Sequence, residues 1–326
     1  MVRRLQDCDS TRDRAQLILV GSIALAFIII GLVVVFNTVL FTDNLAAQGS
    51  VGEIENAQEF QQQVERDMPE LVRHVENGTD SNTAFSGNVD GNVSTTYNRL
   101  LAETYADGSP TYVNVTFNES SSTFGTRVVQ NNDTKFNSSG DTSNLDWEPV
   151  QPGDPRYIGQ FETNITTGEL LDVSGSDNFT IVLRSESASE PPVHIQLSDD
   201  TGTLVLNQTR GSGITQNVCT IPDSHVRLNI TNGSAPNHSA CSFNSTNVLS
   251  GPYSMEFRNV DNVQGNYSFV VNGTVDSHPG IVWDRDGPAT PYANRVLLEA
   301  GVDLYYQSRT VTYVSNQTIT VREVPK

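Results

Sequence analysis

The sequence predicts a mainly β fold with an N-terminal helix: a single transmembrane helix, a short helical stalk and an antiparallel β-sandwich ectodomain. Three observations predict it. Residues 15–42, AQLILVGSIALAFIIIGLVVVFNTVLFT, contain no charged side chain. Apolar residues then recur at helical spacing as far as Tyr105. From Thr111 the period changes to two, in short β-branched runs separated by Gly, Asn and Asp. The boundaries that follow are 1–14 for a cytoplasmic leader, 15–42 for the membrane helix, 43–110 for the stalk and 111–326 for one or two extracellular β domains.

The membrane segment is argued from length and flanks. As a helix, the uncharged run would reach about 42 Å, whereas a bilayer core needs roughly 20 residues. A secretory peptide is the rival, with Leu45-Ala46-Ala47 as its cleavage site. Its apolar region would be about 7–15 residues, well short of this one. Arg3, Arg4, Arg12 and Arg14 precede the run, and the next basic residue is Arg66. Asp43, Glu53, Glu55 and Glu59 follow it instead. The positive-inside rule then places the N-terminus in the cytoplasm and the rest of the chain outside.

The exported part carries the acidity. Asp and Glu number 38 against 19 Lys and Arg, for a formal net charge of −19 over 326 residues. That balance argues against nucleic acid as a partner, since phosphate neutralisation needs a basic face. Lys occurs only at Lys135 and Lys326. Few Lys, many Arg and strong acidity suit a protein working in concentrated salt, where ions screen self-repulsion; an ordinary acidic surface protein is the alternative.

Two further features fit an exterior location. Cys8 lies in the leader, while Cys219 and Cys241 form an even pair outside, free to bridge where the medium is oxidising. A bridge would add about 3 kcal/mol in the chain-entropy picture; two buried free thiols are the alternative. Asn-x-Ser/Thr glycosylation sequons begin at Asn77, Asn92, Asn114, Asn118, Asn132, Asn137, Asn164 and Asn178. Eight more begin at Asn207, Asn229, Asn232, Asn237, Asn244, Asn266, Asn272 and Asn316. These 16 exceed the roughly 5 to 6 expected by chance from 29 Asn, and all lie beyond the membrane segment.

The stalk is read from two seven-residue series: Ile54, Gln61, Met68, Val75 and Ala57, Val64, Leu71. Such a seam pairs with a neighbour or packs on its own ectodomain. Pro69 is expected to interrupt it, with Asp67 capping a second turn and Asn77-Gly78 ending it. A further helix follows Val89, Val93, Tyr97, Leu101 and Tyr105, stopped by Gly108-Ser109-Pro110. Strands are predicted at 112–117 and 126–129, then near 179–184, 193–197, 203–206 and 226–230. Residues 131–144 are predicted as a long loop. Two hairpins are predicted: Tyr253–Phe257 with Tyr267–Val271, and Val296–Tyr306 with Arg309–Val321.

Motifs for chemistry are few. The five His are scattered, with no HExxH, no Gly-rich phosphate loop and no GxSxG elbow. Asp284 and Asp286, in Asp-Arg-Asp-Gly, resemble the start of a calcium loop without its later acidic ligand. An acidic turn is the plainer explanation. No catalytic or cofactor-binding residue is nominated, and the chain is read as a non-enzyme without a cofactor.

Arg14-Ala15-Gln16 followed by LILVGSIALAF resembles the leader junction of archaeal archaellins and type IV pilin-like proteins. More closely, DRAQLILVGSIALAFIIIGLVVVFNTVLFTD is similar to an uncharacterised family of haloarchaeal pilin-like, membrane-anchored surface proteins. YVNVTFNESSSTFGTRVVQNN and YSMEFRNVDNVQGNYSFVVNG share that family's look. The resemblance implies a prepilin-type peptidase as partner, with Arg14 as the charged residue, Ala15 before the cut and Gln16 as the new N-terminus. It implies a surface-exposed structural or adhesive subunit whose helix packs in the membrane or with like subunits in a filament core. A permanently anchored extracellular binding module is the alternative. A hydrolase of cell-surface polymers is a third reading, with no nucleophile or base to nominate.

Overall fold

The computed structural model describes residues 9–79, 82–106, 110–138, 145–211, 213, 216–243, 249, 251–273, 281–283 and 291–324; for 9–26, 36–51, 216–217 and 282–283 it describes the backbone alone. The described chain is mainly β, in antiparallel sheets, with three α-helices.

Helix α1 (Asp9–Gly78) runs for 70 residues. Of the predicted span 15–42, only side chains 27–35 are described, and every one of them is exposed. Among the described residues, no helix is long and apolar enough to cross a membrane. The second half of α1 is packed: Phe60, Val64, Met68 and Val72 are buried at steps of four, with Ala57 and Val75 beside them. The predicted seam is therefore displaced. Ile54 is 47 % exposed, and Gln61 and Leu71 lie at the margin. A seven-residue seam suits a second helix, whereas this helix meets a sheet, and an undistorted 3.6-residue period presents a different stripe.

Pro69 does not interrupt α1. Proline inside a helix costs about 3 kcal/mol through its missing N–H and ring clash. Here full burial of Met68 and Val72 on either side opposes that cost. Asp67 begins no new turn; its carboxylate accepts the Tyr97 hydroxyl at 3.3 Å.

Helix α2 (Phe85–Gly91), a π-helical turn (Asn92–Tyr97) and α3 (Asn98–Ala106) follow. Val89, Val93, Tyr97 and Leu101 are buried in one row. Four-residue spacing drifts around an ideal helix of 3.6 residues per turn; the wider π-turn takes up that drift.

The strands are β1 (Tyr112–Phe117), β2 (Thr123–Lys135), β3 (Asp146–Val150), β4 (Ile158–Thr166), β5 (Thr180–Ser185), β6 (Val193–Asp200), β7 (Thr203–Arg210) and β8 (Gln216–Ile221). After them come β9 (His225–Asn229), β10 (Ser234–Ala235), β11 (His238–Ser242), β12 (Tyr253–Arg258), β13 (Gln264–Asn272), β14 (Val282–Trp283), β15 (Tyr292–Gln307) and β16 (Thr312–Thr320). A ten-stranded sheet has the order β1-β15-β2-β13-β4-β9-β10-β11, with β14 and β16 also on β15. A six-stranded sheet has the order β3-β12-β5-β6-β7-β8.

One core lies between the sheets, joining Phe161, Tyr267 and Phe269 of the larger to Ile181, Leu197 and Phe257 of the smaller. Phe136 sits among them, 4.8 Å from Tyr267 and 5.3 Å from Phe179, ring centre to ring centre. A second core joins Phe60, Val64, Met68, Val89 and Leu101 to Val302, Leu304 and Tyr306 of β15. Both layers cover the same face of the ten-stranded sheet. Along β2, Phe124 packs under the helices and Val128 under the smaller sheet, and residues four apart in a strand share a face. Arg127 points the other way.

Two sequence expectations fail. Tyr253–Phe257 and Tyr267–Val271 do not pair: β12 lies between β3 and β5, and β13 between β2 and β4. Asn259, in the left-handed region at φ 55°, and the 3-10 turn Val260–Asn262 carry the chain from one sheet to the other. The polar run from 131 begins as strand, since β2 continues to Lys135 against Gln264 and Gly265; residues 139–144 lie outside the described residues. The other hairpin forms, with Glu299 opposite Thr320 and Gln307 opposite Thr312.

Cys219 and Cys241 are bridged, with Cα atoms 5.2 Å apart. The bridge links β8, at the edge of the smaller sheet, to β11, at the end of the larger one. It therefore ties the two sheets together.

Candidate functional site

The face of the ten-stranded sheet turned away from both cores is built from the outward residues of five strands. One cross-strand row reads Asn294 (β15), Arg127 (β2), Val270 (β13). The next reads Val129, Ser268, Glu162, Asn229, across β2, β13, β4 and β9. Between the rows β4 bulges, and Gln160 takes φ 51°, a left-handed conformation that costs a non-glycine residue about 1 kcal/mol or more. The distortion leaves the Gln160 side chain exposed beside the rows.

The end of α1 and the C-terminal segment wall this face on one side. Arg322 and Glu76 form a two-pronged ion pair, Nη1 to Oε1 at 2.6 Å, with both side chains only 8 % exposed. Glu76 also accepts the Leu297 amide at 3.0 Å, and Arg73 donates to the Val321 carbonyl at 3.1 Å. Asn82 bonds both the Ala293 carbonyl and the Arg295 amide, so it covers part of the β15 edge.

The result is a cavity of about 500 Å3 lined by Arg73, Arg127 and Arg322, with Gln160, Asn229 and Ser268 on its floor. Glu162, between Ser268 and Asn229 in the same row, and Glu323 line it as well. Glu162 is bound to Arg227 and Arg322 to Glu76. Among the described residues, neither Arg73 nor Arg127 has a carboxylate at ion-pair distance. Burial, and next the Arg322 charge, hold Arg127 below the usual guanidinium range; it remains a cation at any physiological pH. Arg73 and Arg127 thus bring two guanidinium groups outside the described ion pairs to the cavity, with Glu76 and Glu162 also acting on Arg127.

A second polar cluster lies on the outer face of the smaller sheet. Glu256 meets Arg184 at 2.6 Å and Arg258 at 3.0 Å. Burial pushes the Glu256 carboxyl up, but the two arginines outweigh it and the net direction is down. Half-burial, then the Arg258 and Arg184 charges, keep His194 neutral to lower pH than usual. Its charges are already paired, so it offers a ligand less.

The predicted site residues fall into three groups. Arg14, Ala15 and Gln16 lie in α1 where only the backbone is described. Asp284, Asp286 and Asn244 lie outside the described residues. Among the described residues, no cluster of three or more His, Cys, Asp or Glu is placed to hold a metal ion. Of the sequons, Asn77, Asn132, Asn232, Asn237 and Asn316 are exposed. Asn92, Asn114, Asn118, Asn137, Asn164, Asn207, Asn229, Asn266 and Asn272 are partly exposed. Asn178 is the correction: it is 4 % exposed and its amide donates to the Gly175 carbonyl, so the folded chain leaves no room for a glycan there.

The arginine cavity has no counterpart in the sequence reading. Arg73, Arg127 and Arg322 span a separation of 249 positions and share no motif. The one local signal is Arg127 between Thr126 and Val128, a charge inside a strand whose neighbours are buried.

A model described as a family of unknown function (DUF7261) matches residues 11–141, less than half the chain. No curated protein matches it. The matched region runs from α1 through β2, so the chain is similar to that family over its helices and first two strands.

Proposed function

We propose that the chain is a surface-displayed, pilin-like structural or adhesive subunit, held by its N-terminal helix in a membrane or in a core of like helices. One observation supports the reading above the rest. Helix α1 is a single rod with two environments: Phe27 is 70 % exposed and Ile29 54 %, while Phe60, Val64 and Met68 are fully buried against the β layer. A helix apolar all round is stable only beside lipid or other apolar helices. At 1.5 Å per residue, 70 residues reach about 105 Å, enough to cross a bilayer and still anchor a folded domain. The positive flank of the run directs the β domain outward.

The reading assigns no catalysis. A permanently anchored binding module is the second reading, favoured by the arginine-lined cavity. The two differ at the N-terminus of the native protein, read by peptide mass spectrometry of isolated membranes and shed surface material. A start at Gln16 supports peptidase processing and assembly with like helices. A start at Met1 or Val2 supports the permanent anchor. A start near Gln48 overturns both and makes the protein secreted.

A further inference from the structure

We propose that the cavity between Arg73, Arg127 and Arg322 binds an acidic sugar, a saccharide unit carrying a carboxylate. The proposal stands whichever N-terminus the native protein has.

The charge argument comes first. Arg322 is committed to Glu76 and shapes the wall, whereas Arg73 and Arg127 face the cavity without a carboxylate partner among the described residues. Such a guanidinium gains most from a planar oxyanion that accepts two parallel N–H bonds. Arg127 is half-buried, so the bond would form where water screens little.

The rest of the lining argues for a sugar rather than a bare anion. Gln160, Asn229 and Ser268 present amide and hydroxyl groups from the floor, the complement of a ring bearing several hydroxyls. Glu323 in the lining accepts hydroxyl protons but repels a multiply charged ion. The volume, about 500 Å3, falls in the usual range for small-ligand sites and exceeds what one inorganic ion needs. The strained Gln160 backbone points the same way, because strain of this kind gathers where a side chain is aimed at a ligand.

The test uses the full-length protein in detergent, produced without glycosylation so that no glycan on Asn229 or Asn232 occupies the cavity. Glucuronate, glucose and inorganic sulfate are titrated calorimetrically at matched ionic strength. The expected result is glucuronate binding that is roughly tenfold or more tighter than either glucose or sulfate. Arg127→Gln is expected to weaken glucuronate roughly tenfold, and Arg73→Gln, at an exposed position, to weaken it several-fold. Glu323→Gln is expected to tighten it about twofold. Sulfate binding as tightly as glucuronate would overturn the sugar and leave an oxyanion site. No glucuronate binding, or binding unchanged in Arg73→Gln and Arg127→Gln, would overturn the site itself.

Discussion

The two halves of α1 differ in apolar content and have opposite fates. Phe27–Val35 stands exposed on every described side, while Phe60, Val64, Met68 and Val72 are fully buried on β15 and its neighbours. The difference lies in both content and pattern. The first half is apolar at successive positions and has no polar face to turn to water. The second alternates one apolar stripe with Glu59, Gln62, Glu65 and Arg66 outside. Amphipathicity suits a helix to a folded sheet; uniform apolarity suits it to lipid or to other helices.

Truncation is the largest way to break that contrast. Phe60→Ala removes a ring held by Tyr105 and Tyr306, with centres 5.7 and 6.0 Å away. Unfolding of the full chain in detergent, followed by near-ultraviolet circular dichroism, should show a loss of about 3–5 kcal/mol. Ile30→Ala should leave that unfolding within about 0.5 kcal/mol, since its side chain supports no packing in the β layer. Equal losses would mean that the exposed half also folds onto the domain.

Glu76→Gln comes next. It leaves Arg322 buried and unpaired, and a loss of about 3 kcal/mol is expected in the same unfolding experiment. Hydrogen exchange at the Leu297 amide, which donates to Glu76, should rise more than exchange in β6 or β7. A uniform rise would mean that the pair supports the whole fold rather than the helix end.

Replacing Cys219 and Cys241 together by Ser should cost about 3 kcal/mol or slightly less. Here the contrast is between the two cores. The bridge ties sheet to sheet, so β8 and β11 should exchange faster while the α1–β15 contact holds. Loss of helix protection first would refute the separation.

The smallest effect concerns Glu53. Its carboxylate accepts from Ser308 at 2.7 Å, from the Thr310 amide at 3.0 Å and from the Thr310 hydroxyl. These bonds, Ser308 first, hold its carboxyl below the ordinary 4.5. A depressed carboxyl stabilises the folded state above its unfolded value and loses that contribution as pH falls through the folded value. Protection of the Thr310 amide, corrected for intrinsic exchange, should therefore fall as pH drops through the carboxylate range, and Glu53→Gln should remove that pH dependence.

Much of the architecture was legible from pattern. The four-residue row from Val89 to Leu101, the β15–β16 hairpin and most strand positions follow from local periodicity, because side chains repeat with the backbone that carries them. What escaped was partner choice. Tyr253–Phe257 and Tyr267–Val271 look like a hairpin locally, yet left-handed Asn259 sends them to different sheets. Pro69 reads as a helix stop because its penalty is local, whereas the burial opposing it comes from residues far along the chain. Asn178 reads as a sequon, and only tertiary packing closes it off.

By itself the sequence determined the apolar run and its charged flank, the surplus of sequons, the acidity and the change of period near residue 111. Each is a property of neighbouring residues, and neighbours are what a chain specifies directly. The tertiary structure decided which sheet each strand joins, that the disulfide spans both sheets, and that Arg73, Arg127 and Arg322 meet around one cavity. Those are contacts between residues tens to hundreds of positions apart, fixed by which faces can be buried together; no spacing along the chain encodes them.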